Sequence, residues 1–190
     1  MFVYVKNIKK EAEAKKAIQQ GAAGICVDLG QQKPAYLVEE TRNWLETLPL
    51  QIMKIGSFFR DPYYAVEEMA TFCHLDMLVL QFQDDLAAFR RHSGRVLVAL
   101  TDCQLQDVLQ ESEQERLALL LETANGLVLE ITDYTNFDNV GLRDCCQRLQ
   151  KPIFLAGDFD NVPFDGLLHF LQQQQFPMVC GVLLDYQQMV

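Results

Sequence analysis

The sequence predicts an α/β fold closed as a (β/α)8 barrel, and three observations lead there. Short apolar runs alternate with amphipathic stretches along all 190 residues, giving eight strand-like segments and seven helical ones. The runs are rich in Val, Ile and Leu without strict alternation, as in parallel strands covered on both faces. The first connection, KNIKKEAE, holds no glycine, whereas an open doubly wound sheet announces itself by a glycine-rich loop after its first strand. A regular strand–helix alternation gives a parallel sheet. Eight units favour closure over the open rival, as a single domain spanning residues 1–190.

The elements run in order. FVYVKNI is the first strand, with a helix over 11–20 that Gly21 stops. AGICVDL is the second, followed by a helix over 37–47. IMKIGSFF leads through Asp61-Pro62, a helix start signal, into a helix over 62–73. DMLVLQF leads to a short helix over 84–92. RVLVALTD leads to helical material between 103 and 123. GLVLEITD precedes a helix over 138–149, and PIFLAG one over 162–174. MVCGVLL is the eighth strand. Only DYQQMV follows Leu184, at most about 9 Å of helix at roughly 1.5 Å per residue. The eighth helix is therefore expected to be truncated or absent. That would leave Val182 and Leu184 bare on the flank of strands eight and one, a surface suited to a homodimer.

Composition excludes several function classes. A net charge of −10 speaks against nucleic acid, which needs clustered Lys and Arg. No run of 18 apolar residues exists, so no membrane span is expected. The N-terminus lacks the charge order of a secretory signal. The six cysteines show no CxxC spacing and read as free thiols of a cytoplasmic chain. His74, His92 and His169 fall on helices, with core or surface roles. Trp44 and Tyr36 fit helix-to-barrel packing, and Phe58, Phe59 and Phe82 end strands three and four.

In a (β/α)8 barrel, chemistry sits at the carboxyl ends of the strands. Here those ends are Lys6, Asp28, Gln81, Asp102, Glu130, Asp133, Asp158 and Asp185, most of them acidic. Converging carboxylates repel phosphate and would favour neutral polar ligands or a hard divalent cation. Capping and turn formation is the bland alternative for each Asp.

The stretches AIQQGAAGICVDL, MKIGSFFRDPYYAVEEMATFCHLDMLVLQF and PIFLAGDFDNV resemble the second, third, fourth and seventh strand units of the phosphoribosylanthranilate isomerase family. The resemblance runs from about residue 1 to 183 and is densest over 52–82. It implies a (β/α)8 TIM barrel and, for family enzymes, an Amadori rearrangement in tryptophan biosynthesis that needs no metal or organic cofactor. The reaction requires an acid for the ring oxygen, a base for the C2 proton, and donors for a phosphate and a carboxylate.

The family's base is the cysteine of a Lys-x-Cys-Gly motif ending strand one. Here Lys6 is present, but Asn7 or Ile8 stands in place of the cysteine. The family's acid is an Asp ending strand six, where Glu130 lies. The family's Arg before Tyr36 is Ala35, and its His-Gly after strand four is Gln81-Phe82. The phosphate turns after strands seven and eight become Gly157-Asp158 and Cys180-Gly181. The binding candidates are thus Lys6, Asn7, Gln81, Gly157, Asp158 and Gly181. Asp28, Asp158 and Cys180 are candidate replacement bases. Two readings stay open: a diverged member with little or no isomerase activity, holding a small polar molecule at the mouth, or an active isomerase rebuilt around Glu130.

Overall fold

The computed structural model describes residues 1–30, 33–82, 85–131, 148–157 and 178–188, apart from the side chains of Asp102 and Glu111. The expected helices over 138–149 and 162–174 fall largely outside these residues, as do Asp133, Asp158 and His169.

Eight parallel strands close into a barrel in sequence order. They are β1 (Phe2–Lys6), β2 (Gly24–Asp28), β3 (Met53–Phe58), β4 (Met77–Gln81), β5 (Arg95–Thr101), β6 (Gly126–Ile131), β7 (Ile153–Gly157) and β8 (Val179–Asp185). Each pairs with the next, and β8 returns to β1 from Phe2↔Gly181 to Lys6↔Asp185.

Alternate residues of the strands feed two separate cores. Tyr4, Cys26, Ile55, Val79, Leu97, Val128, Phe154 and Leu183 form one buried cluster, the filling of the lumen. Val5, Ile25, Val27, Leu78, Val98, Leu127, Leu155 and Val182 join the other, with the helices. Both faces of every strand are therefore apolar, which is why the sequence shows runs rather than alternation. Tyr4 and Phe154 stack in the lumen with centroids 5.0 Å apart, so the barrel is a packed core and not a pore.

The outer layer holds α1 (Glu11–Gln19), α2 (Ala35–Glu46), α3 (Tyr63–Phe72), α4 (Asp102–Val108) and α5 (Gln114–Thr123). The material between 103 and 123 is two helices joined through a 3-10 turn, Glu111–Glu113. A capping box starts α4: Thr101 Oγ1 accepts from the Gln104 amide, and Gln104 Oε1 accepts from the Thr101 amide. Three sequence expectations are corrected. The helix expected over 84–92 is a 3-10 turn, Leu86–Phe89. Trp44 is buried as expected, but Tyr36 is 67% exposed; it lies in the first turn of α2, short of the residues that pack inward. Val182 and Leu184 are fully buried, with Tyr186 packed against their cluster, so the bare flank that suggested a homodimer is not there. After β8 the described chain makes a 3-10 turn, Tyr186–Gln188.

His92 lies beyond the Leu86–Phe89 turn, nearly buried, with Nδ1 on Glu67 Oε1. The same carboxylate accepts the Tyr63 hydroxyl at 2.6 Å. The Tyr63 hydrogen bond, then the His92 one, holds Glu67 below its ordinary 4.5. A carboxylate depressed in the folded state contributes stability above its unfolded value and loses it as pH falls through the folded one. Glu67→Gln should lower the melting temperature at pH 7 and flatten the loss of stability below about pH 4.5, as followed by thermal melts across pH.

Gly181 has a scaffold task. A Cβ there would stand 2.2 Å from the Phe2 carbonyl oxygen and 3.0 Å from the Phe154 ring. Gly181→Ala should cost about 2 kcal/mol or more in denaturant unfolding, because β1 must back away from β8.

Candidate functional site

Closure brings one residue of most strands to a shared rim at the carboxyl end. Inward positions there are Lys6, Asp28, Ser57, Gln81, Thr101, Glu130 and Asp185. Register makes neighbours of Lys6 and Asp185, Asp28 and Ser57, and Thr101 and Glu130. All but Asp28 are half-buried, and Asp28 is exposed. Ser57 and Thr101 were not singled out from sequence; the inward parity of β3 and β5 is the signal that finds them.

The β8 side of the rim is tied up by its own side chains. Asn7, in the left-handed region at φ 62, donates through Nδ2 to Asp185 Oδ2. Asp185 Oδ1 accepts the Gln187 amide at 3.1 Å, and the Asp185 amide donates to Gln188 Oε1 at 3.0 Å. Gln188 Nε2 then reaches the Gly157 carbonyl at 3.2 Å. This strap joins the ends of β1, β8 and β7. It consumes the Asp185 and Gln187 N–H groups, the kind of donor that an anion site after β8 would use.

Elsewhere the rim divides into engaged and free groups. Asp28 faces Lys33 Nζ at 3.4 Å and accepts the Gly30 amide at 3.3 Å. Lys6, Gln81 and Glu130 make no side-chain hydrogen bond or ion pair among the described residues. Of the acidic strand ends, three are described with their side chains: Asp28, Glu130 and Asp185. Two of them are already occupied by Lys33 and by Asn7. Among the described residues no three His, Cys, Asp or Glu side chains gather closely enough to hold a metal ion, so the divalent-cation expectation finds no support there.

Two candidates sit at the wrong end. Cys180 is the second residue of β8, with Sγ 3.6 Å from the Met178 carbonyl oxygen. Gly181 pairs with Phe2 at the start of β1. Both lie at the amino end of the strands, so Cys180 is no replacement base and Gly181 no phosphate turn. The residues that do end β8 are Asp185 and the turn after it. Of the two positions offered for the base after β1, Ile8 is buried in the helix layer and Asn7 is spent on Asp185. Gly157 lies at the rim, and its Asp158 neighbour is outside the described residues.

Cys26 faces the lumen one layer below Asp28. Burial pushes its thiol up to about 12, so it holds no thiolate near neutrality. Iodoacetamide at pH 8 should therefore alkylate exposed Cys103 in the native protein and spare Cys26 and Cys73 until it unfolds, as read by peptide mass mapping.

No family model matches the sequence, and no curated protein does. Solved structures do. A phosphoribosylanthranilate isomerase in complex with reduced 1-(o-carboxyphenylamino)-1-deoxyribulose 5-phosphate matches with a TM-score of 0.70 and 15% identity, over 97% of this chain and 87% of that one. The Thermus thermophilus isomerase matches at 0.68 and 16% identity, over 97% and 87%. The likeness is one of fold. Tryptophan synthase from M. tuberculosis, a different enzyme, matches at 0.65 and 12% identity, over 97% and 83%. The barrel expected from the sequence, and its likeness to phosphoribosylanthranilate isomerases, are thus met in the architecture. Among the described residues no helix is long and apolar enough to cross a membrane.

Proposed function

We propose that this chain is a diverged phosphoribosylanthranilate isomerase-like barrel with little or no isomerase activity, whose mouth holds a small polar molecule without a phosphate. The carrying observation is the strap at the end of β8. Side chains of Asp185 and Gln188 take the backbone donors there, and the anion the resemblance calls for is left without them. Catalysis of an anionic substrate depends on such preorganised donors. The absence of a base in the sequence at Asn7 and Ile8 supports the same reading. Among the described residues, the rim side chains with no hydrogen bond or ion pair include one ammonium, one carboxamide and one carboxylate, from Lys6, Gln81 and Glu130. That set suits a neutral or zwitterionic polar molecule. Cys26, Cys73, Cys103 and Cys180 are in no disulfide, which fits a reducing, cytoplasmic setting.

One observation favours the second reading. Glu130 is half-buried at an inward position of β6 and has no side-chain partner among the described residues, as suits a general acid. A base is harder to find, since Asp28 and Asp185 are held by Lys33 and Asn7. A head displaced by near 1 Å can cost roughly 10²-fold in rate.

The purified protein should leave the fluorescence of phosphoribosylanthranilate unchanged and should not rescue a tryptophan auxotroph lacking this isomerase. Rescue, with Glu130→Gln abolishing it, would establish the second reading instead.

A further inference from the structure

A cavity of about 310 Å³ opens beside the mouth, outside the lumen, between the ends of β3 and β4. Its origin is the short connection after β4. Helices follow β1, β2, β3 and β5, whereas the described connection after β4 carries the short turn Leu86–Phe89. That turn is fixed from behind, because Thr123 Oγ1 on α5 donates to the Leu86 carbonyl at 3.3 Å. The Phe89 ring packs edge-on against Tyr63 of α3 at 5.1 Å.

The floor is apolar. Phe58 and Leu80 contribute from the outward faces of β3 and β4, and Leu86 and Phe89 from the turn. The rim is polar, with Arg60, Asp61, Gln81 and Asp85. Two of these are committed elsewhere. Asp61 Oδ2 accepts the Phe59 amide at 2.9 Å. Arg60, in the left-handed region at φ 59, lays its guanidinium over the exposed Phe59 ring at 5.3 Å. The other two are available. Asp85 occupies the N-cap position of the turn yet makes no capping hydrogen bond. It is exposed, and neither it nor Gln81 has a side-chain partner among the described residues.

We propose that this cavity is a binding site for an arylalkylamine. A flat ring lies on the Phe58–Leu86–Phe89 floor, where aromatic side chains favour offset or edge contacts. The ammonium points outward to the Asp85 carboxylate and the Gln81 carbonyl oxygen. Size sets the class: about 300 Å³ is the lower end of small-molecule sites, enough for one ring and a short chain. Charge sets the sign, because among the described lining residues the ionic group without a partner is the Asp85 carboxylate, and the chain carries −10 overall. The site shares Gln81 with the mouth, but its floor and Asp85 lie outside the mouth's inward positions, so it goes beyond that reading.

The test is titration of the full chain with 2-phenylethylamine, 3-phenylpropionate and butylamine at constant ionic strength, followed by amide chemical shifts. 2-Phenylethylamine should bind saturably, with shifts centred on Phe58, Leu86 and Phe89. The carboxylate and the ringless amine should bind at least tenfold more weakly. Asp85→Asn should weaken binding about tenfold, and Asp85→Lys should abolish it. Asp85 is exposed, so an unchanged melting temperature shows that these variants fold. Glu130→Gln should leave this binding unaltered, which separates the cavity from the mouth. The proposal is overturned by equal binding of 3-phenylpropionate, by undiminished binding to Asp85→Lys, by shifts centred on Lys6 and Glu130, or by no saturable binding.

Discussion

The return of β8 to β1 is the constraint on which the rest of the molecule depends. Until those strands pair, the sheet has two open edges with unsatisfied N–H and C=O groups. Once they pair, from Phe2↔Gly181 to Lys6↔Asp185, no edge is left, and strand tilt and stagger are fixed together. The contact demands a residue without a side chain at Gly181, where the Phe2 carbonyl comes close. It also decides parity. A slip of one residue would turn Leu183 out of the lumen, put Val182 into it, and send Asp185 away from the mouth. The two cores and the polar rim are consequences of one register.

The rim inherits its character from that closure. Lys6 and Asp185 are neighbours only because β1 and β8 meet there, and Asn7 reaches Asp185 across a sequence separation of 178. The strap from Asn7 through Asp185 and Gln188 to Gly157 then satisfies the ends of three strands internally. Strand ends satisfied in this way are rigid, but they have little left to offer a ligand. On the opposite arc, Gln81 and Glu130 have no side-chain partner among the described residues. The division of the mouth into a closed arc and an open one results from where the barrel is sealed.

The architecture was legible because it is written redundantly. Each strand announces itself as an apolar run, and misjudging any one of them leaves the alternation intact. The rim was legible only where a strand ends in an unmistakable polar residue, as at Lys6, Asp28, Gln81 and Glu130. Cys180-Gly181 was misplaced because MVCGVLL carries no local mark of which end faces the mouth. Its level is set by pairing with Phe2, a partner at the other end of the chain. The pairing of Asp28 with Lys33 and of Asn7 with Asp185 likewise depends on the folded path. Leu86–Phe89 read as helix because the residues LAAF suit one. Short 3-10 and α turns share such sequences, and the tertiary surroundings decide between the two.

A barrel can keep its shape while its chemistry changes, and the layering explains how. Stability resides in the lumen and in the layer between strands and helices, where side chains are buried and substitutions that change volume cost several kcal/mol. The rim residues sit above both cores, half-buried or exposed, and most substitutions there cost little. At 12–16% identity the backbone still tracks these barrels, with TM-scores of 0.65–0.70 for four isomerase structures and the tryptophan synthase. The preserved part is the packing that any sequence of this pattern must satisfy. The part that would transmit an activity is a handful of strand-end side chains under no such obligation. In this chain those positions hold an asparagine bound to an aspartate, an aspartate bound to a lysine, and a glutamate bound to no other side chain among the described residues. Similarity of fold therefore carries no inference about reaction here, and the state of those few side chains carries nearly all of it.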